Sequence, residues 1–189
     1  MLEPDYPIET ARLSLRPFTL DDLGPYHALH RLPEVARYLY NAPLDREQAS
    51  VALAAKASRT VVHDEGDRLD LAVMLTETEA MIGEVNLMFR SREHARGEVG
   101  FVLDPAFHGR GFATEAAREM LRLGFDGLDL HRIIGRCDGR NSSSARVLER
   151  LGMRREAHLV ENEFVKGEWT DELEYAMLKR EWRALSAGA

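Results

Sequence analysis

The sequence predicts a mixed α/β fold of the α+β kind: a mostly antiparallel sheet of six to seven strands with helices on both faces. Two observations carry this. Stretches with period-two and helical apolar spacing follow one another as strand, helices, three strands, helix, strand, helix, two strands. Helices and strands therefore do not take strict turns, as a doubly wound parallel sheet would require. In addition, 189 residues with 44% hydrophobic and 30% charged side chains suffice for one core, and no repeat, low-complexity tract or linker divides the chain. A single domain over residues 8–185 is expected, with short tails at 1–7 and 186–189.

Arg12-Leu13-Ser14-Leu15-Arg16 alternates polar and apolar and reads as a strand that Pro17 ends. Thr19 with Asp22 makes a capping box for a helix to about His30. Pro33 opens a short helix with Val35, Tyr38 and Leu39 on one face. Asp45 precedes an alanine-rich helix, Arg46–Ser58. After the turn Asp64–Asp67, Leu69–Leu75 and Met81–Phe89 form an antiparallel pair. Glu98–Leu103 is another strand, stopped by Asp104-Pro105. Ala113, Ala116, Ala117, Met120, Leu121 and Phe125 fall at helical spacing and predict a helix over Phe112–Phe125. His131–Cys137 is a strand, and Asn141 or Ser142 caps a helix whose buried stripe is Val147, Leu148 and Leu151. Gly152 is its left-handed stop. A short strand starts at Met153, a hairpin turn falls near Gly167, and Glu172–Leu178 closes the sheet.

Several function classes are set aside. A net charge of −7 argues against a general nucleic-acid binder, which shows a basic stripe. The single cysteine, Cys137, allows no intramolecular disulfide and no cysteine zinc site, and the seven histidines show no metal-ligand spacing, so no metal is expected. No apolar run approaches the ~18 residues of a spanning helix. The polar start, with Glu3, Asp5 and Glu9, is no signal peptide, so a cytoplasmic protein without membrane contact is expected.

The stretch with chemical content is His108-Gly109-Arg110-Gly111-Phe112-Ala113-Thr114, between a strand and a helix. First-turn N–H groups lack partners and the helix dipole favours negative charge there. Gly109 and Gly111 remove the Cβ atoms that would keep a phosphate from the backbone, and Arg110 adds a mobile positive charge. Two glycines also serve a plain tight turn. Neither Gly-x-x-x-x-Gly-Lys-Ser/Thr nor the complete Gly-x-Gly-x-x-Gly is present, because Thr114 takes the third glycine's place.

Asp104-Pro105-Ala106-Phe107-His108-Gly109-Arg110-Gly111-Phe112-Ala113-Thr114-Glu115-Ala116 resembles the acyl-CoA motif of the GNAT N-acetyltransferases, most of all the RimJ/RimL branch that acetylates ribosomal-protein N-termini. That branch commonly has tryptophan before Gly-x-Gly, where this chain has His108. Thr10–Pro17 resembles its opening strand, Pro33–Leu39 its short second helix, and Asn141–Met153 its Asn-x-x-Ser helix ending in Leu-Gly-Phe. The four stretches come in the right order, and the likeness covers nearly the whole chain.

The resemblance implies a sheet that splays after its fourth strand to admit acetyl-CoA. The pantetheine arm would bond to the backbone near Phe101, Val102 and Leu103. The pyrophosphate would lie on the turn from His108 through Gly109, Arg110, Gly111, Phe112 and Ala113 to Thr114. Asn141 would bond the cofactor arm, Ser144 would lie near the thiol, and Arg140, Arg146 and Arg150 are candidates for the 3′-phosphate. The implied reaction is direct acetyl transfer to an amine, which must lose a proton to a general base before it attacks. Glu98, at the start of the cofactor strand, is the first choice. Glu84 on the neighbouring strand is the second, and Glu161 and Glu163 follow. Many relatives use a tyrosine as the acid near the Asn-bearing helix. None lies between Tyr40 and Tyr175, so Ser144 or a water is left to do the work. Cys137 has no paired histidine in view and is set aside as a nucleophile. The acceptor stays open among a protein N-terminus, an aminoglycoside, a polyamine or another small amine. The acidic residues Glu156, Glu161, Glu163, Glu168, Asp171 and Glu172 either attract a cationic amine or are plain surface charge. A homodimer is also part of the likeness. The competing class is a non-catalytic acyl-CoA sensor, which would keep the turn and need no base.

Overall fold

The computed structural model describes residues 1–187, with side chains as far as Leu185. The strands are β1 (Ile8–Glu9), β2 (Leu13–Pro17), β3 (Arg68–Leu75), β4 (Ala80–Ser91), β5 (Arg96–Leu103), β6 (Arg132–Asp138), β7 (Arg154–Val165) and β8 (Glu168–Leu178). The helices are α1 (Leu23–His30), α2 (Pro33–Ala36), α3 (Arg46–Ala57), α4 (Phe112–Arg122), α5 (Ser142–Arg150) and α6 (Lys179–Ala187). The eight strands form one sheet in the order β1-β2-β3-β4-β5-β6-β8-β7. Neighbours are antiparallel except β5 and β6, which run parallel.

Strand alternation sorts the core onto two faces. Leu71 and Val73 join the large cluster under α4 and α5, with Phe112, Met120, Leu121 and Leu148. Ala72, between them, faces α1 and α3 with Phe18, Tyr26, Ala49 and Leu53. Helix starts follow the local chemistry read in the sequence. The Asp45 side chain accepts from the Gln48 N–H in a capping box, and Pro33 sits in the first turn of α2.

The splay lies where the resemblance implied; with the short edge strand β1 counted, the splayed strand is the fifth. β5 pairs with β6 only through Arg96–Glu98 against Arg132–Ile134. Beyond that point β5 stays with β4 as far as Leu103↔Gly83, while β6 continues with β8 to Asp138↔Glu172.

Five features differ from the sequence expectation. β1 adds a strand to the count because Ile8 and Glu9 pair with Leu15 and Ser14. The first residues are no free tail: Leu2 is buried and exchanges backbone bonds of 2.8 and 2.9 Å with Val62, giving its apolar side chain cover. β7 is twelve residues long, not short, since it forms a hairpin with β8 through Lys166 and Gly167, both left-handed (φ 50° and 89°). The helix after the glycine turn ends at Arg122, and its last turn widens over Leu123–Gly127. α6 then takes in Ser186 and Ala187 of the expected tail, while residues 188 and 189 lie outside the described residues.

Candidate active site

A cleft of about 310 Å³ opens where β5 and β6 part. Its walls are the free ends of β5 and β6, the glycine turn, one side of α5, and α2 with the residues after it. It gathers most of the residues singled out in the sequence: Phe101, Val102, Leu103, His108, Gly109, Gly111, Phe112, Ala113, Thr114, Asn141 and Ser144 all line it. Arg110 does not; its guanidinium stacks 4.8 Å over the Phe112 ring.

The turn has the conformation an anion cradle needs. Gly109 and Gly111 have φ of 76° and 83°, a region that side chains rarely tolerate, and Gly111 is the N-cap of α4. A Cβ at Gly109 would meet no atom within 4 Å, so the space it would fill is open. The Thr114 Oγ1 is buried and has no hydrogen-bond partner among the described residues. Buried hydroxyls are rarely left so, and a phosphate oxygen would supply the missing partner. Cradle and orphan hydroxyl together fit the pyrophosphate of a CoA thioester.

The β5 backbone fits an extended amide arm with one correction. The Asp104 N–H donates to Ile82 O on β4 at 2.9 Å. By alternation the Val102 groups also turn to β4, and those of Phe101 and Leu103 turn to the gap. Val102 therefore lines the cleft without offering its backbone. The Leu103 carbonyl lies 3.0 Å from His108 Nε2 and is occupied by that ring in the Nε2–H tautomer. His108 thus closes the end of the strand edge, a role its residue type did not reveal.

On the opposite wall the Asn141 Oδ1 accepts the Ser144 N–H at 3.0 Å, so this side chain caps α5 and keeps its amide N–H groups available. Arg146 and Arg150 line the cleft, whereas Arg140 is drawn away by Asp138 (2.7 Å) and Glu168 (2.9 Å). Cys137 lines the cleft, and burial pushes its thiol up to about 11.

The carboxylates nominated as bases separate. Glu84 is sealed under α1 and α3, 3.0 Å from Lys56 and 3.6 Å from His30, and does not line the cleft. Burial alone would raise its carboxyl; Lys56 and His30 reverse this and hold it down at about 2. A sealed carboxyl held this low cannot collect a proton from an acceptor, which corrects its nomination. Glu161 gives its backbone N–H to Asp171 and does not line the cleft. Glu163 accepts the Tyr40 hydroxyl on both oxygens at 2.9 Å. Glu98 lies 3.3 Å from the Arg136 guanidinium and 3.0 Å from Arg90. Arg136 itself lines the cleft, so Glu98 stands one residue behind the wall.

Two cleft residues, Arg136 and Tyr38, escaped the sequence reading. Arg136 joins Glu98 to Glu172, which it contacts at 3.1 Å. Glu172 was left open between attracting a cationic amine and plain surface charge; it is buried, and burial raises its carboxyl against the pull of Arg136. The alternation of β6 and β8 held the signal, since Arg136, Asp138, Glu172 and Glu174 share one face. Tyr38 brings a phenol to the cleft from the segment after α2, far in sequence from the helix where a tyrosine was sought.

A split sheet with a left-handed glycine turn and a helix start at its mouth is the architecture of a class of acyl-CoA-dependent transferases. Residues 12–154 match the family model described as acetyltransferase (GNAT) domain, and the chain belongs to this family of N-acetyltransferases. It is 32% identical over 176 residues to the uncharacterized N-acetyltransferase YnaD of Bacillus subtilis, covering 93% of this chain and 98% of that one. It is 24% identical to the spermidine N(1)-acetyltransferase of Escherichia coli K12, over 91% of this chain and 89% of the other. Among solved structures, a GNAT-family acetyltransferase from Bacillus anthracis superposes with a TM-score of 0.82 at 29% identity, covering 92% and 99% of the two chains. The spermidine N-acetyltransferase of Vibrio cholerae, solved with CoA and spermine, shares the fold with a TM-score of 0.76 at 23% identity, covering 92% and 99%. Enzymes of this family use acetyl-CoA. Among the described residues no group of His, Cys, Asp and Glu is placed to hold a metal ion, and no helix is long and apolar enough to cross a membrane.

Proposed function

We propose that the chain transfers the acetyl group of acetyl-CoA directly to a primary amine in the β5–β6 cleft. In this reading the pyrophosphate lies on the amides from Gly109 to Thr114, and the pantetheine arm follows Phe101 and Leu103 toward Asn141 and Ser144. The observation that carries it is the orphan Thr114 Oγ1 beside a left-handed glycine turn, at the end of a strand edge left without a partner.

The acceptor approaches from the α2 side, where Arg136 holds Glu98 and Glu172. An alkyl ammonium, with a pKa near 10, must lose a proton before its lone pair can attack the thioester carbon. Glu98 takes that proton through water. The C–N bond forms as the C–S bond breaks, and the thiolate takes a proton from Ser144 or from Tyr38, the hydroxyls nearest in kind to the missing tyrosine. The acceptor is a protein N-terminus, as the RimJ/RimL likeness suggests, or a small amine, as in the spermidine acetyltransferases. The working form proposed is a cytoplasmic homodimer, which light scattering checks for the oligomeric part.

The test is thiol release from acetyl-CoA across peptides, aminoglycosides and polyamines. Turnover with at least one amine is expected. Tight CoA binding with no turnover on any of them would favour the sensor instead. Gly111→Val, which forces a β-branched residue to φ 83°, should weaken CoA binding about 100-fold or more. Unchanged affinity would remove the turn from the site.

A further inference from the structure

The segment Thr10–Arg12 carries a likeness to the family, yet nothing in the reaction above uses it. In the structure it reaches across to the glycine turn. Arg12 Nη1 donates to the Arg110 carbonyl at 2.9 Å. Its Nε and Nη2 donate to Glu115 Oε2 at 2.8 and 2.6 Å, while its backbone N–H and the Thr10 hydroxyl donate to Oε1 at 2.9 and 2.7 Å. The guanidinium also lies 4.5 Å over the Phe112 ring.

We propose that Arg12 is a positioning residue for the pyrophosphate cradle, acting through the Arg110–Gly111 peptide and through Glu115. This rests on the reading of the turn given above. The peptide is trans, so its carbonyl and the Gly111 N–H point to opposite sides. By holding the Arg110 carbonyl, Arg12 turns the Gly111 N–H away from itself and fixes one donor of the cradle. The second effect is electrostatic. Glu115 sits in the first turn of α4, where a free carboxylate would compete with a phosphate for the positive helix end. Charge-assisted bonds from Arg12 satisfy and neutralise it. Burial works to raise the Glu115 carboxyl, but Thr10 and Arg12 hold it below its ordinary value, so the pair stays ionised and tied.

CoA and pantetheine, which lacks the pyrophosphate, are titrated by NMR shift perturbation into the parent protein and Arg12→Met. The parent should bind CoA far more tightly than pantetheine. The variant should lose about tenfold or more in CoA affinity and nothing for pantetheine. The two ligands are compared on the same sample, so a fraction of misfolded variant cancels. Equal CoA affinity in parent and variant would overturn the role of Arg12. So would an equal loss for both ligands, which would mark a defect of the whole cleft. A parent that does not distinguish CoA from pantetheine would instead overturn the reading of the turn. Glu115→Gln, which keeps the size of the side chain and removes its charge, should shift CoA affinity by less than Arg12→Met, because the bond to the Arg110 carbonyl survives.

Discussion

Glu84 on β4 and Glu98 on β5 face the same side of the sheet, each beside a cation, yet they end in opposite situations. Glu84 lies with Lys56, Asp70 and His30 beneath α1 and α3, and its side chain is 7% exposed. Glu98 lies with Arg136 and Glu172 where the sheet opens, and is 19% exposed. The first cluster is sealed by helices and can only hold the fold together. The second borders the cleft through Arg136, the position that the proposed role of Glu98 as base requires. Residue type and strand position do not separate the two; the helices laid over one of them do.

The separation can be broken by substitution. Lys56→Met leaves Glu84 and Asp70 buried together without their shared cation, and loss of one partner from a buried charge cluster costs about 3–5 kcal/mol. Unfolding in urea should show that loss, while the folded fraction keeps the parent's kcat. A large drop in kcat with intact stability would move the sealed cluster into the chemistry. Glu98→Gln should do the reverse, lowering kcat by about 100-fold with CoA affinity and melting temperature unchanged. A variant with the parent's rate and pH profile would exclude Glu98 as the base.

Acid titration sharpens the contrast. The Glu84 carboxyl is depressed in the folded state, so its contribution to stability is full above its ordinary value. That contribution is lost as pH falls toward about 2. In Lys56→Met, stability should depend less on pH over that window; an unchanged slope would mean that Lys56 is not what holds Glu84 down. The smallest effect is expected at the acceptor side. Tyr40→Phe removes the phenol that holds Glu163 and should change the amine KM a few-fold, with CoA affinity untouched.

How much of this was legible in the sequence follows from what each part is made of. The proposed cofactor side is built from backbone, and backbone conformation leaves signatures: Gly109 and Gly111 at positive φ, Asn141 as a cap, Pro105 after the strand. These placed the turn, α4 and α5 correctly. The splay between β5 and β6 came from family likeness, since no residue pattern states that two strands will part. The proposed acceptor side is built from side chains brought together across strands. Arg136 meets Glu98 from 38 positions away and Glu172 from 36, distances over which local pattern is silent. The same holds for His108, whose bond to Leu103 O depends on how the strand end curls. Local pattern equally missed the docking of Leu2 on Val62, a contact between distant segments.

The claim that the glycine turn and the free edge of β5 form the cofactor site is tested most directly by amide hydrogen exchange with and without CoA. Slowed exchange is expected at the turn amides from Gly109 to Thr114 and at Phe101 and Leu103, with no change beneath α1 and α3. Protection confined to other segments, with the turn exchanging at the same rate in both states, would contradict it.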